Sequence, residues 1–196
     1  MNISKNFLNK KELNIVNNEI LKQDFPWYTN DAFANNSALT TKFPLLSHTL
    51  IKRCDDEEEP VPNSDYYFLF KEIVERFCKK HKIKFNKFTR ASLNLTFCNT
   101  KYPFISPHSD HFFKHNLLII YLNNSSGDTL IFDKKYKKGN SWIDISLPKA
   151  KKLKVIKKIK PEQGKVFVCD GSYFHSYKFC KHDEIRVVGV LRFLLI

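Results

Sequence analysis

The sequence predicts a single domain of mainly β structure, an antiparallel sandwich or barrel with helices packed against one side. Two patterns carry this prediction. Apolar residues recur at helical spacing in the first part of the chain, and from Thr89 onward the period changes to two. At 196 residues the chain is near the size of one large domain, and it contains no stretch that resembles a long linker.

Two helices are expected before the strands begin. Residues 10–23 place apolar side chains at helical spacing, namely Leu13, Val16, Ile20 and Leu21. The second helix follows residues 62–65, whose polar side chains suit a helix N-terminus, and it carries the apolar stripe Tyr66, Phe70, Ile73 and Phe77. Both apolar faces predict packing against a sheet.

Six segments with a period of two follow, separated by turns rich in Gly, Asn, Ser and Pro. They are Thr89–Phe97, Asn116–Asn123, Asp128–Phe132, Leu153–Ile159, Lys165–Cys169 and Ile185–Leu195. One of the turns is Lys138–Asn140, and a shorter candidate strand, Ser47–Lys52, precedes the second helix.

Composition narrows the class of protein. The five cysteines are never spaced as C-x-x-C, which argues against a disulfide framework or a zinc knuckle. No apolar run approaches the roughly 18 to 20 residues of a membrane span, so we expect a cytoplasmic protein without a membrane partner. The formal net charge of +13 is compatible with a polyanionic partner, but an AT-rich genome gives the same Lys-rich composition.

The first candidate site is His108-Ser109-Asp110. Residues two apart in an extended segment point to the same side, so His108 and Asp110 can grip one ion while His111 faces away. His175, which follows a turn at the edge of the Lys165–Cys169 strand, is the candidate third ligand. Two imidazoles and one carboxylate suit Fe(II) with open coordination positions. Zinc could bind the same groups, but no H-E-x-x-H motif supplies the base of a zinc hydrolase.

Arg186 is the candidate anion-binding residue. It lies eleven residues after His175 and opens the last strand. If that strand returns alongside His175, Arg186 can hold the distal carboxylate of a keto acid through two parallel hydrogen bonds. Its neighbours Val188 and Val190 predict burial, where an unpaired guanidinium is costly. Arg192 has the same parity but lies about 20 Å further along an extended strand, and is the weaker candidate.

Together these residues resemble the iron(II)/2-oxoglutarate-dependent dioxygenases, particularly the compact prolyl 4-hydroxylase-like members of viruses and bacteria. The similarity covers about residues 90–196, and it depends on the order and spacing of motifs that are weak individually. They are Pro107-His108-Ser109-Asp110, His115, Leu118–Asn123, Gly127–Phe132, Pro161–Gly164, Asp170-Gly171, His175 and Arg186.

The resemblance implies a double-stranded β-helix (a cupin-like jelly roll) at residues 89–196, with residues 1–88 as helical support, in one domain spanning 1–196. It implies Fe(II) on His108, Asp110 and His175, and 2-oxoglutarate on Arg186 with help from Tyr121. O2 is then the second co-substrate, and ascorbate is a candidate auxiliary reductant.

The implied activity is hydroxylation of an unidentified substrate, such as a prolyl or other amino-acid side chain, with release of succinate and CO2. A viral member of this family would act in the host cytoplasm. Two alternatives stay open: oxidative demethylation of nucleic acid on the same fold, which the positive charge favours modestly, and a catalytically inactive jelly-roll binding protein.

The roles of several other residues are less specific. We expect His115 to pack beside the metal or support a ligand, and His111 and His182 to be solvated. Phe25–Tyr28 could line a substrate mouth, although a core or helix-ending role is the simpler expectation. Asn94 has the parity to face the cavity.

Overall fold

The computed structural model describes residues 1–29, 45–54, 56–98, 104–137 and 152–195. The turn predicted at Lys138–Asn140 lies outside these residues. The helices are α1 (Lys10–Ile15), which continues into a π-helical turn at Val16–Ile20, and α2 (Tyr66–Lys80). The strands are β1 (Asn2–Ser4), β2 (Tyr28–Thr29), β3 (Leu45–Ile51), β4 (Phe85–Phe97), β5 (Asn116–Tyr121), β6 (Thr129–Lys135), β7 (Val155–Ile159), β8 (Val166–Asp170), β9 (Tyr173–Tyr177) and β10 (Ile185–Leu195).

The strands form two antiparallel sheets. The large sheet has the order β1-β8-β5-β10-β4-β3-β2, and the small sheet has the order β7-β6-β9. Their inner faces meet in an apolar cluster in which Ile119 and Val190 of the large sheet join Ile131 and Ile159 of the small one. This is the predicted jelly roll, and the mainly β fold class is confirmed.

Helix α2 packs on the outer face of the large sheet, as its apolar stripe predicts. Phe70, Ile73 and Phe77 are at most 1% exposed and pack with sheet residues such as Leu93 and Leu191. Each strand of the sheet therefore alternates between side chains that contact the helix and side chains that face the small sheet. Arg186 and Arg192 of β10 have the parity of the side chains that face the small sheet.

Helix α1 is held at its N-terminus by a capping box. The Asn9 side chain accepts a hydrogen bond from the backbone N–H of Glu12, and the Glu12 carboxylate accepts one from the backbone N–H of Asn9. The same carboxylate accepts two hydrogen bonds from Arg76 of α2, at 2.6 and 2.8 Å. This paired contact fixes the first helix against the second.

The N-terminal part of the chain does more than support the core. Strands β1, β2 and β3 all belong to the large sheet, so the expected division at residue 88 does not match the boundaries of the sheets. Strands β1 and β2 are two or three residues long, too short for a period-two pattern to reveal. None of the helices in the described ranges is long and apolar enough to cross a lipid bilayer.

Helix α2 offers a direct test of the outer core. Replacing Phe77, which is fully buried, by alanine should lower the free energy of unfolding by about 3 to 5 kcal/mol, because the large cavity cannot close. Phe68 lies on the same helix with 61% of its surface exposed, and Phe68→Ala should cost less than about 0.5 kcal/mol. Urea unfolding of both variants measures the difference, and equal losses would contradict this packing.

Candidate metal centre

A backbone pairing brings the two candidate imidazole ligands together. His108 and His175 form an antiparallel bridge in which each backbone N–H donates to the other's carbonyl, at 3.1 and 2.9 Å. Residues directly opposite each other in an antiparallel pair project their side chains to the same face. The two rings accordingly lie 4.7 Å apart, centroid to centroid.

In both imidazoles, Nδ1 lies within hydrogen-bond distance of a backbone carbonyl. Nδ1 of His108 lies 3.0 Å from the carbonyl of Ser106, and Nδ1 of His175 lies 3.2 Å from the carbonyl of Tyr173. A carbonyl can only accept, so Nδ1 of each ring is the donor, which leaves Nε2 as the ring nitrogen that can bind a metal ion. Burial and the neighbouring His175 lower the pKa of His108 to about 4, so its ring is neutral near pH 7.

Asp110 completes the group. The candidate ligand atoms of His108, Asp110 and His175 all lie within 4.8 Å of one another. Asp110 Oδ2 is buried without a hydrogen-bond donor and lies 3.2 Å from His175 Nε2. A carboxylate oxygen and two imidazole Nε2 atoms gathered at one point are donor atoms that a single metal ion can bind together. The donor set therefore fits a divalent metal ion.

The carboxylate of Asp110 is kept ionised by its surroundings. Burial by itself would raise its pKa, but the guanidinium of Arg192 holds the pKa well below the ordinary value. Arg192 Nη2 donates to Asp110 Oδ1 at 2.6 Å, and Arg53 donates to the backbone carbonyl of Asp110 at 2.8 Å. Arg192, the weaker candidate on sequence grounds, thus lies directly beside the candidate metal ligands and orients one of them.

Arg186 lies on the same inner face of β10, toward its other end. The side chain is 3% exposed; its Nε donates to the carbonyl of Gly127 and its Nη2 to Oγ1 of Thr129, both at 2.8 Å. No carboxylate pairs with it among the residues that the structure describes. A Cβ at Gly127 would lie 2.9 Å from Arg186 Cδ and 2.8 Å from a backbone carbonyl, so only glycine allows this approach.

Tyr121 lies beside this guanidinium and is completely buried. Its hydroxyl donates to Thr129 Oγ1 at 2.8 Å, the same oxygen that accepts from Arg186. Burial raises the pKa of Tyr121 to about 12, and the pKa of the neighbouring Tyr177 rises to about 12 for the same reason. The two phenols beside Arg186 are therefore neutral near pH 7, and its guanidinium lies 4.9 Å from the centre of the Tyr177 ring.

The route by which Arg186 reaches the site differs from the expectation. Strand β10 does not return alongside the strand of His175; it pairs with β4 and β5 in the large sheet. His175 lies in the middle of β9 in the small sheet, and not at the edge of the Lys165–Cys169 strand. The two residues face each other across the interior of the jelly roll.

One cavity connects the two ends of this arrangement. It holds about 60 Å³ of space for water-sized groups, and its walls include His108, His175, Arg186 and Arg192. Its other lining residues include the polar side chains of Asn94, Thr96, Thr129 and Ser176 and the apolar side chains of Ile119 and Val190. Asn94 thus faces the cavity, as its parity suggested.

Two further histidines lie near the centre. His111 is 2% exposed, with Nε2 3.1 Å from the Thr89 hydroxyl, so the expectation that it is solvated was wrong. His115 is also buried; its Nδ1 donates to the carbonyl of Phe113, and its Nε2 has no partner. Its ring packs against Gly171, where an added Cβ would lie 2.3 Å away. His115 therefore fills the interior beside the turn that leads to β9.

The remaining expectations concern the periphery. Phe25 is 5% exposed and packs against Trp27, His48 and Tyr66, so it belongs to the core, whereas Tyr28 at the end of the segment is 63% exposed. The His182 side chain is 79% exposed, as expected.

Comparisons with known proteins identify the fold. No protein-family model matches this chain, and no curated protein matches it. Solved structures do match this chain. A 2OG-Fe(II) oxygenase family oxidoreductase from Burkholderia pseudomallei is 13% identical, with a TM-score of 0.61, over 95% of this chain and 81% of that one.

Two other similar structures carry informative descriptions. A prolyl hydroxylase from Trichoplax adhaerens, in complex with a hypoxia inducible factor peptide fragment, is 13% identical over 98% of this chain and 82% of that one, with a TM-score of 0.61. HygX from Streptomyces hygroscopicus, with nickel and 2-oxoglutarate bound, is 10% identical over 97% and 80%, with a TM-score of 0.58. The fold of this chain is therefore the fold of the 2-oxoglutarate/Fe(II) oxygenases, including the prolyl hydroxylases, which confirms the predicted resemblance at the level of structure.

The buried histidines predict a loss of stability in acid. Burial lowers the pKa of His108 to about 4 and of His111 to about 3, and it also lowers the pKa of His115, whereas an unfolded chain protonates histidine near pH 6.5. The stabilisation is complete above pH 6.5. It should fall as the pH drops from about 6.5 to 4, by about 1.4 kcal/mol per pH unit for each histidine that stays neutral.

Urea unfolding of the metal-free protein between pH 4.5 and 7 measures this slope. His111→Gln, which keeps a group able to bond to Thr89, should reduce the slope by the contribution of one proton. His182→Gln is the matched control at an exposed position and should leave the slope unchanged. An unchanged slope in His111→Gln would contradict the burial of a neutral imidazole there.

Proposed function

We propose that this chain, as one domain over residues 1–196, is an Fe(II)- and 2-oxoglutarate-dependent oxygenase whose metal is held by His108, Asp110 and His175. The observation that supports it most strongly is the convergence of the three ligand atoms within 4.8 Å, where Asp110 Oδ2 has no hydrogen-bond partner among the described residues. Two imidazoles and one carboxylate leave further coordination positions for a bidentate co-substrate and O2. The likeness of the fold to HygX, which is described with nickel and 2-oxoglutarate bound, supports the same proposal.

Iron(II) bound by these residues, with 2-oxoglutarate and O2, supplies the oxidising chemistry that releases succinate and CO2. The residues of the chain bind and orient the reactants. Arg192 keeps the carboxylate of Asp110 ionised and fixes its direction, while the carbonyls of Ser106 and Tyr173 fix the two imidazoles. Ascorbate is the proposed auxiliary reductant.

Arg186 is the proposed partner of the distal carboxylate of 2-oxoglutarate. Because Thr129 Oγ1 already accepts from Tyr121 and from Arg186, its own hydroxyl hydrogen is available to a further acceptor. The guanidinium and the Thr129 hydroxyl together offer a carboxylate charge-assisted hydrogen bonds in a buried setting. Tyr121 then acts through Thr129, by holding its hydroxyl in the orientation that favours the co-substrate.

The proposed reaction is hydroxylation of a prolyl or other amino-acid side chain. Prolyl hydroxylases are among the similar structures, and one of them is described with a peptide fragment bound. The substrate itself is identified by a succinate-release screen over peptides, free amino acids, nucleotides and nucleic acids. Stimulation by methylated nucleic acid alone would favour the demethylase alternative instead.

Anaerobic titration tests the metal and co-substrate residues. Fe(II) followed by 2-oxoglutarate should give the weak visible charge-transfer band typical of this family. His108→Ala should abolish the band, because one of three ligands is lost. Arg186→Ala should weaken 2-oxoglutarate binding more than Fe(II) binding, because it removes the only cation at that end of the described cavity.

Lys157→Ala, on exposed strand β7, is the control and should give the wild-type titration. Equal losses of Fe(II) and 2-oxoglutarate affinity in Arg186→Ala would contradict the assigned roles. Absence of the band in the wild-type protein would favour a catalytically inactive jelly-roll protein.

A further inference from the structure

A second arginine faces the interior of the jelly roll beside Arg192. Arg90 of β4 and Arg192 of β10 are directly opposite each other in the antiparallel ladder. Residues paired in this way project to the same face of a sheet. Since Arg192 reaches Asp110 in the interior, Arg90 also lies on the inner face, close to the candidate metal centre.

The positive charge of Arg90 is not neutralised by the residues that the structure describes. Arg90 is partly buried, and it forms no ion pair or hydrogen bond with them. Asp110, whose negative charge acts on Arg90, already pairs with Arg192. Burial and the positive charges of Arg192 and Arg53 lower the pKa of Arg90 to about 9, so it is still a cation near pH 7. Two like charges directly opposite each other in a sheet destabilise it.

Two more groups on the same face of β4 and β10 lack a hydrogen-bond partner among the residues that the structure describes. Ser92 lies two residues from Arg90 on the same face, is 3% exposed, and has a buried Oγ without a hydrogen-bond partner. Arg192 is 5% exposed, and its Nε is also buried without a partner. A serine hydroxyl and two guanidinium groups all provide donors. What is missing is an acceptor, and a negatively charged one fits best.

We propose that Arg90, Ser92 and Arg192 Nε form a subsite for an anionic group, a carboxylate or a phosphate, of the primary substrate. The identity of the occupant as a substrate depends on the proposed oxygenase function, whereas the anion site itself does not. Arg186 and Arg192 are six residues apart on one strand, about 20 Å along an extended chain. A five-carbon keto acid held at Arg186 therefore leaves the subsite at Arg90 for a different ligand.

The stability of the unliganded protein tests the unpaired charge. In dilute chloride buffer, Arg90→Gln should raise the melting temperature by about 2 to 4 °C, the shift that about 1 kcal/mol produces in a protein of this size. Arg76→Gln is the matched control, because Arg76 is paired with Glu12 and its loss should lower the melting temperature. A lower melting temperature in Arg90→Gln would overturn the proposal, since it would show that Arg90 is a paired structural residue.

Anion binding is measured with acetate and inorganic phosphate as probes. Either or both should raise the wild-type melting temperature and shift the NMR signals of buried arginine Nε–H groups, and both effects should be lost in Arg90→Gln. Stabilisation by acetate alone would assign a carboxylate, and stabilisation by phosphate alone a phosphate. Equal responses in the wild type and Arg90→Gln would overturn the subsite.

Binding of Mn(II) and 2-oxoglutarate, measured on the same samples, separates the two proposals. Arg90→Gln should retain both, because Arg90 contacts neither the candidate metal ligands nor Arg186. If the wild-type protein bound the anions but not Mn(II) and 2-oxoglutarate, the oxygenase function would fail while the anion subsite stood. Loss of Mn(II) binding in Arg90→Gln would instead make Arg90 a support of the metal centre and overturn its role in substrate binding.

Discussion

The backbone pairing of His108 with His175 is the constraint on which the candidate site depends. It fixes two imidazoles on one face, and the bend that follows His108 brings Asp110 to their open side. Because Nδ1 of each ring lies against a backbone carbonyl, Nε2 is the ring nitrogen left to face the Asp110 carboxylate. The fold thus gathers lone pairs at one point, and a divalent cation is the group that satisfies them together.

The inner face of the large sheet is apolar on one side and polar on the other. Toward β5 and β8 it is apolar, where Ile119 and Phe167 meet the small sheet. Toward β4 it is polar and cationic, with Asn94 at the cavity and Arg90 opposite Arg192. The apolar half stabilises the sandwich through burial. The cationic half costs stability, which is the pattern expected where a charged ligand completes the structure.

Much of this could be predicted from the sequence because it depends on local periodicity. Helix α2 begins at Tyr66, where its apolar stripe starts, although the Asp65 side chain makes no capping hydrogen bond; β10 spans Ile185–Leu195 as predicted. Strand β9 was missed because its five residues mix aromatic, polar and histidine side chains that follow no simple alternation. Its position in the small sheet could not be inferred from the turn before it.

The contacts of Arg192 and His111 could not be predicted from the sequence, because each contact joins residues far apart in the chain. Parity correctly placed Arg192 on the face of Arg186, but distance along the strand gave no information on the approach of Asp110 from a remote loop. His111 was expected in solvent because its neighbour faces the metal, yet the Thr89 hydroxyl on β4 provides a buried partner. In both cases the deciding contact joins residues far apart in the chain.

The most direct test of the account is the position of a bound metal. Crystals grown anaerobically with Mn(II) and 2-oxoglutarate would locate the ion by its anomalous scattering. The account predicts one strong peak about 2 Å from Nε2 of His108, a carboxylate oxygen of Asp110 and Nε2 of His175. A peak elsewhere, or an interior with both imidazoles bonded to the carboxylate and no ion, would contradict it.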